Sequence, residues 1–173
     1  MHSKSRDTST RAQLLISAYI ESLVGIFALR LAPVKSAISA IAPQMTLFSS
    51  YEGQHCNLQA RRIVEEISTT GIELQTTVNQ LTYIFVAAMW ETLKQHAHYD
   101  LISTKPDIQF FRHLRNACAH DGKWNFTELK YPAIWRDKEL KTEHNDKEVF
   151  NGVLLHGDIL LFFTDIDLKY FEQ

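Results

Sequence analysis

Along most of the chain up to His120, apolar residues recur at intervals of three and four, the spacing that gathers side chains on one face of an α-helix. Residues 1–8 are polar and read as loose. Ser9 or Thr10 can cap a helix running toward Leu31, where Pro33 limits its continuation. Ala, Leu and Ile occupy most sides of this helix, so the pattern predicts one nearly surrounded by partners. Residues 42–54, with Pro43, the serine pair Ser49 and Ser50, and Gly53, read as a loop. Asn57 can cap a helix through Ile67, and after Thr70 and Gly71 a longer helical pattern runs from about Leu74 to about His98. Its predicted core face is Val78, Leu81, Ile84, Phe85, Ala88 and Met89. The next helix, at about 106–121, opens with Pro106 in the first turn and Asp107 against the positive end of the helix dipole, and stops at Asp121 and Gly122.

Beyond Asn125 the pattern changes. Tyr131, Ile134 and Trp135, a charged run from Asp137 to Lys147, then Val149 and Phe150 predict a small β-ribbon with a solvated turn. Asp158 precedes Ile159, Phe162, Phe163, Ile166 and Tyr170, whose spacing fits a capped terminal helix better than a strand over 160–164. The expected fold class is therefore mainly α, with a C-terminal β-ribbon and terminal helix. The expected organisation is one domain over 1–173: a helical bundle over 9–125 and an extension over 126–173.

Composition narrows the function classes. Of 173 residues, 45% are hydrophobic and 22% charged, which suits a globular chain and no disordered or fibrous class. The net charge of −2 and a pI near 6.4 lack the overall basicity of a non-specific nucleic-acid coat, so any such role must be local. Cys56 and Cys118 are the only cysteines and form no C-x-x-C pair, which argues against a disulfide framework or structural zinc and for a reducing cytoplasm. The apolar stretch 14–31 is interrupted by Glu21 and Arg30, so neither uncharged run approaches the ~18–20 residues of a membrane span. It reads as a buried helix, with no membrane partner expected.

The candidate chemistry lies in the segment from Phe110 to His120. At ~100° per residue, Phe110, Phe111, Leu114, Ala117 and Cys118 gather on one side of a helix, while Arg112, Arg115, Asn116, Ala119 and His120 gather on the other. Lys123 joins the second group if the helix reaches that far. Basic residues on a solvated helix face are common, but two details single this face out. Asn is a poor helix-interior residue, so Asn116 suggests a side-chain task. His120 falls in the last turn, where the negative dipole end favours imidazolium and thus a proton donor.

These residues resemble a known family. The string Arg115-Asn116-Ala117-Cys118-Ala119-His120 is similar to the R-x4-H signature of the HEPN superfamily, in which a polar residue commonly follows the arginine. The stretch from Phe111 to Asn125, with His120-Asp121-Gly122, and the preceding Phe85 to Leu93, with Trp90 and Glu91, resemble the same family in bacterial and plasmid-borne members. The resemblance covers roughly Leu74 to Asn125 and implies a HEPN-like antiparallel helical bundle. It further implies a metal-independent endoribonuclease with no cofactor, a homodimer with RNA as substrate, and catalytic roles for Arg115, Asn116 and His120. Whether the role is that of a toxin held by an antitoxin protein, or of phage defence, stays open. Many toxins of the family regulated by a partner nucleotidyltransferase carry a tyrosine two residues after the motif histidine. Here that position is Gly122, which argues against regulation through it.

The chemistry that the resemblance implies can be matched to these side chains. The 2′-hydroxyl of RNA attacks the adjacent phosphate, so protons must be managed at two oxygens and charge stabilised on the phosphorane. His120 can handle a proton, Arg115 can hold phosphate oxygens through its fork of donors, and Asn116 can orient the imidazole or touch the phosphate. One imidazole cannot easily serve both ends, and a two-fold dimer would supply two. Arg112 and Lys123 are candidates for substrate binding along the phosphate track.

Other readings find less support. His96 and His98 are expected on different sides of a helix, and His113 and His120 lie two turns apart, ~10 Å by helix rise, too far for one metal. No G-x-S-x-G, P-loop or G-x-G-x-x-G string is present. Trp90 is expected in the core, and Glu91 to pair with an arginine. The competing functional reading is a non-catalytic HEPN-like module that binds RNA, a nucleotide or a protein and uses the motif to dimerise.

Overall fold

The computed structural model describes residues 2–41, 45–48, 55–58, 71–150 and 152–171. The protein is mainly helical, with 66% helix and 6% strand. The order is α1 (His2–Ala28), α2 (Ala32–Ile41), β1 (Met45–Phe48), β2 (His55–Leu58), α3 (Gly71–Lys94), α4 (Tyr99–Ile102), α5 (Pro106–Ala119), β3 (Ile134–Trp135), β4 (Lys138–Glu139), a 3-10 turn (Thr142–His144), α6 (His156–Ile166) and a closing π-helical turn (Asp167–Phe171). The chain groups into two compact units, one of Met1–Tyr19 with Asn79–Gln173 and one of Ile20–Val78.

Several boundaries differ from expectation for identifiable reasons. Helix α1 begins at His2, so residues 2–8 are helical where a loose start was expected, and Pro33 acts as an opening residue of α2 as much as a stop for α1. The predicted burial of this helix also fails. Ala12 and Tyr19 are buried, whereas Leu14, Val24 and Phe27 are exposed. Thr10–Ala28 is long and apolar enough to cross a membrane by length and composition, and 11% of it is buried.

In the unit Ile20–Val78, the expected loop contains β1, which pairs antiparallel with β2 in the register Met45↔Leu58, Thr46↔Asn57, Leu47↔Cys56 and Phe48↔His55. Asn57 is therefore a strand residue, not a helix cap. The remainder of the helix expected through Ile67 lies outside the described residues.

The other unit holds the aromatic core. Phe110, Phe111, Phe162, Phe163 and Trp124 are all buried, and removing each such phenylalanine from water contributes about 1.5–3 kcal/mol. Phe111 meets Phe162 edge-on at 5.0 Å and Trp90 at 5.3 Å, so α5 is gripped by α6 on one side and α3 on the other. Trp90 is core as expected, while Glu91 pairs with Lys94 of its own helix at 3.4 Å and not with an arginine.

The buried face of α3 is rotated from the predicted one. Val78 and Met89 are buried, but Ile84 is 65% exposed, and Thr82, Val86, Trp90 and Leu93 take the inward positions. A polar Thr82 is tolerated inside because its hydroxyl shares a 2.9 Å hydrogen bond with that of Tyr19.

The ribbon is shorter than expected. β3 and β4 pair over two residues each, Ile134↔Glu139 and Trp135↔Lys138. The turn between them holds Arg136 at φ 53°, a left-handed conformation unusual for arginine. The terminal helix forms as expected, although it opens at His156, ahead of Asp158. Asp158 caps it from within the first turn, its carboxylate accepting the Leu155 N–H at 2.8 Å.

Candidate functional site

The candidate site is the last turn of α5 and the reversal that follows it. Ile108, Phe110, Phe111, Leu114 and Ala117 bury the inner face. Arg112, Ala119 and His120 are exposed, with Arg115 and Asn116 half-buried between them. The helix stops because Asp121 and Gly122 both enter the left-handed region, at φ 53° and 75°. The Gly122 N–H then folds back onto the Ala117 carbonyl at 2.9 Å, alongside the His120 N–H at 3.0 Å, which satisfies a carbonyl at the helix end.

This ending differs from the predicted helix over 106–121 by two residues, and that decides the position of Lys123. It is not on the helix face. It lies beyond the reversal, in an antiparallel bridge with Glu148, exposed. Arg112, Arg115, Asn116 and His120 stay on α5 or at its cap.

The reversal is held by the segment after β4. The Val149 N–H donates to the Gly122 carbonyl at 2.8 Å, the Trp124 N–H to Lys147 at 2.9 Å, and the Asp146 N–H to Trp124 at 2.8 Å. The extension, for which the sequence offers no role, is thus what fixes the turn carrying His120.

Polar groups at this end are sparsely engaged. Arg115 donates to the Asn116 side-chain oxygen at 3.5 Å, a long contact, and Asn116 does not reach the His120 ring with any hydrogen bond. Neither His120 nor Arg112 has a side-chain hydrogen bond or ion pair among the described residues. Cys118, mostly buried beneath the motif, has its thiol pushed up to about 12 by burial, an effect the nearby Arg115 charge only partly offsets. A thiol held this way stays protonated at neutral pH.

The neighbouring histidines have separate surroundings. His113 packs edge-on against Phe126 at 5.1 Å, with Nδ1 buried and unpartnered among the described residues. Burial, then the Arg112 charge, holds its pKa below the ordinary value. His96 and His98 were expected on two helix sides, but α3 ends at Lys94 and their rings come 5.8 Å apart in the following turn. Among the described residues, no three of His, Cys, Asp and Glu converge in a way that could hold a metal ion.

Tyr83 of α3 was not anticipated at this site. A Cβ placed on Gly122 would collide with the Tyr83 hydroxyl oxygen and lie 2.8 Å from its Cζ, so the phenol tip rests against the backbone just after His120. Its distance from the motif in sequence hides this proximity. The only available signal is the glycine itself, which marks a close approach.

A cavity of about 340 Å³ lies elsewhere, at the first turn of α5, lined by residues that include Pro106, Asp107, Trp135, Arg136, Asp165 and Lys169. Its charges are committed to one another. Arg136 grips Asp165 through two bonds of 2.7 and 2.9 Å, and Lys169 meets Asp107 at 2.6 Å. The donors at the far end of the helix have fewer such partners among the described residues.

No family model matches the chain, and no curated protein and no solved structure is found similar to it.

Proposed function

We propose that the protein is a HEPN-type, metal-independent endoribonuclease of the cytoplasm, acting as a homodimer in which two copies of α5 line one RNA-binding groove. The observation that carries this reading is the state of Arg112, Arg115, Asn116 and His120. They share the outer side of the last turns of α5, and their donors are hardly used among the described residues. Side chains kept out of internal bonds at a rigidly held turn are available to a ligand, and three cationic or protonatable groups beside an amide suit a phosphodiester. Exposed Ala119, between Arg115 and His120, leaves room for a second copy to approach.

In this mechanism the RNA 2′-oxygen bonds to phosphorus, the bond from phosphorus to the 5′-oxygen breaks, and the products are a 2′,3′-cyclic phosphate and a 5′-hydroxyl. Arg115 holds the non-bridging oxygens. One His120 removes the 2′ proton and the other delivers a proton to the leaving oxygen. The fold class supports the reading only at the level of a mainly helical chain.

The test is His120→Ala, assayed with single-stranded RNA in EDTA. Cleavage should fall about 10²-fold or more while RNA binding persists, with stability changed by no more than about 1 kcal/mol, as for an exposed position. Wild-type protein that never cuts RNA, or that cuts DNA equally well, would reject the ribonuclease and favour the binding module.

A further inference from the structure

We infer that Tyr83 is a catalytic residue of this site, donating its phenolic hydrogen bond to the phosphate held at the Arg115 and His120 turn. This deepens the ribonuclease reading and rests on it.

Position comes first. Gly122 passes so close under the phenol that no side chain fits between them, which brings the hydroxyl to the backbone two residues after His120. The hydroxyl therefore sits at the reversal that follows the end of α5.

This position is held from both sides. The Tyr83 ring stacks on Phe150 with centroids 6.1 Å apart and planes at 13°, and Phe150 stacks on His156 at 4.1 Å and 19°. The Nε2 of His156 then meets the Oδ1 of Asn79 at 2.6 Å, and Asn79 is one turn before Tyr83 on α3. The ring stack thus runs from α3 to the start of α6 and returns to α3. A donor fixed in this way loses little freedom when a phosphate arrives, which is what makes a preorganised donor effective against developing charge.

The hydroxyl is also unspent among the described residues. Tyr83 makes no hydrogen bond among the described residues, unlike Tyr19 and Tyr170, whose hydroxyls are bonded to Thr82 and Asp107. Burial, followed by the nearby Cys118, Glu148 and Asp121, pushes Tyr83 above the ordinary phenol value, so it stays a proton-bearing donor at neutral pH.

Tyr83→Phe in the full chain tests this, because it keeps the ring and its stacking and removes only the hydroxyl. Cleavage of a short single-stranded RNA should fall about 10²-fold, the usual cost of deleting one such donor, with the unfolding midpoint unchanged. A second measurement does not need turnover. Protein carrying tyrosine labelled with ¹³C at Cζ is titrated with a 2′-O-methyl oligoribonucleotide, and the signal missing from Tyr83→Phe identifies the residue. That signal should move on binding. Wild-type cleavage with an equally active Tyr83→Phe protein would overturn the role of Tyr83 and leave the ribonuclease standing. Binding that shifts the signal without any wild-type cleavage would retain Tyr83 as a phosphate contact and remove the ribonuclease. A signal that stays still as the oligonucleotide binds, or no binding at all, would overturn the inference.

Discussion

The two ends of α5 use their polar groups in opposite ways. At the first turn, Asp107 accepts from Lys169 at 2.6 Å, from the Tyr170 hydroxyl at 2.8 Å and from the Ile108 N–H at 3.0 Å, and beside it Asp165 accepts from Arg136 and from the Trp135 indole. At the last turn, the one side-chain bond among the motif residues is the 3.5 Å contact from Arg115 to Asn116. One end of the helix spends its charges on holding the fold, and the other leaves them with few partners among the described residues. A count of charges in sequence does not separate these roles, since Asp107 and Arg115 are equally conspicuous there. Only the partners distinguish them.

The largest effect should come from breaking the backbone at the unspent end. Gly122→Val would put a β-branched residue at a φ of 75° and drive its side chain into the Tyr83 phenol. Strain and overpacking together should cost about 2–5 kcal/mol in urea unfolding. Adding Tyr83→Ala should relieve the clash and leave the strain. A stable single variant would mean that the turn is not held as described.

A smaller loss is expected at the other end from Asp107→Ala. Asp107 has a side chain only 13% exposed, and its removal strands the Tyr170 hydroxyl and Lys169. The cost should be about 1–3 kcal/mol by thermal or urea unfolding, with RNA cleavage unchanged. Cleavage lost in proportion to stability would show that the two ends are not separable.

The smallest effect concerns the middle of the helix. His113 is held below the ordinary imidazole value of 6.5 by burial, as is His156. Their neutral forms therefore contribute stability that is complete above pH 6.5 and is lost as pH falls through the lower folded values, where the unfolded chain binds more protons. His113→Phe, which keeps a ring against Phe126, should reduce this acid slope without abolishing it. A slope unchanged in urea titrations at pH 5 to 7 would assign it to other groups.

Much of α5 was legible because its signals are local: Pro106 opens it, the three-and-four spacing defines its buried face, and Asp121-Gly122 closes it. The terminal helix was legible for the same reason. The face of α3 was misread because hydrophobicity puts Ile84 inside and Thr82 outside, and the bond from Thr82 to Tyr19, which reverses this, joins residues far apart in sequence. The hairpin of β1 and β2 was hidden because two four-residue strands with turn-forming neighbours look like a loop until they find each other. At the site, the motif was visible and Tyr83 was not, since its place is set by Gly122 and Phe150 together.

The hold that residues 146–150 exert on the His120 turn also sets an order of events during synthesis. The motif helix leaves the ribosome before the segment that fastens its last turn, and before Phe150 can support Tyr83. A nascent chain therefore carries every motif residue for a time before the turn that follows them is fastened.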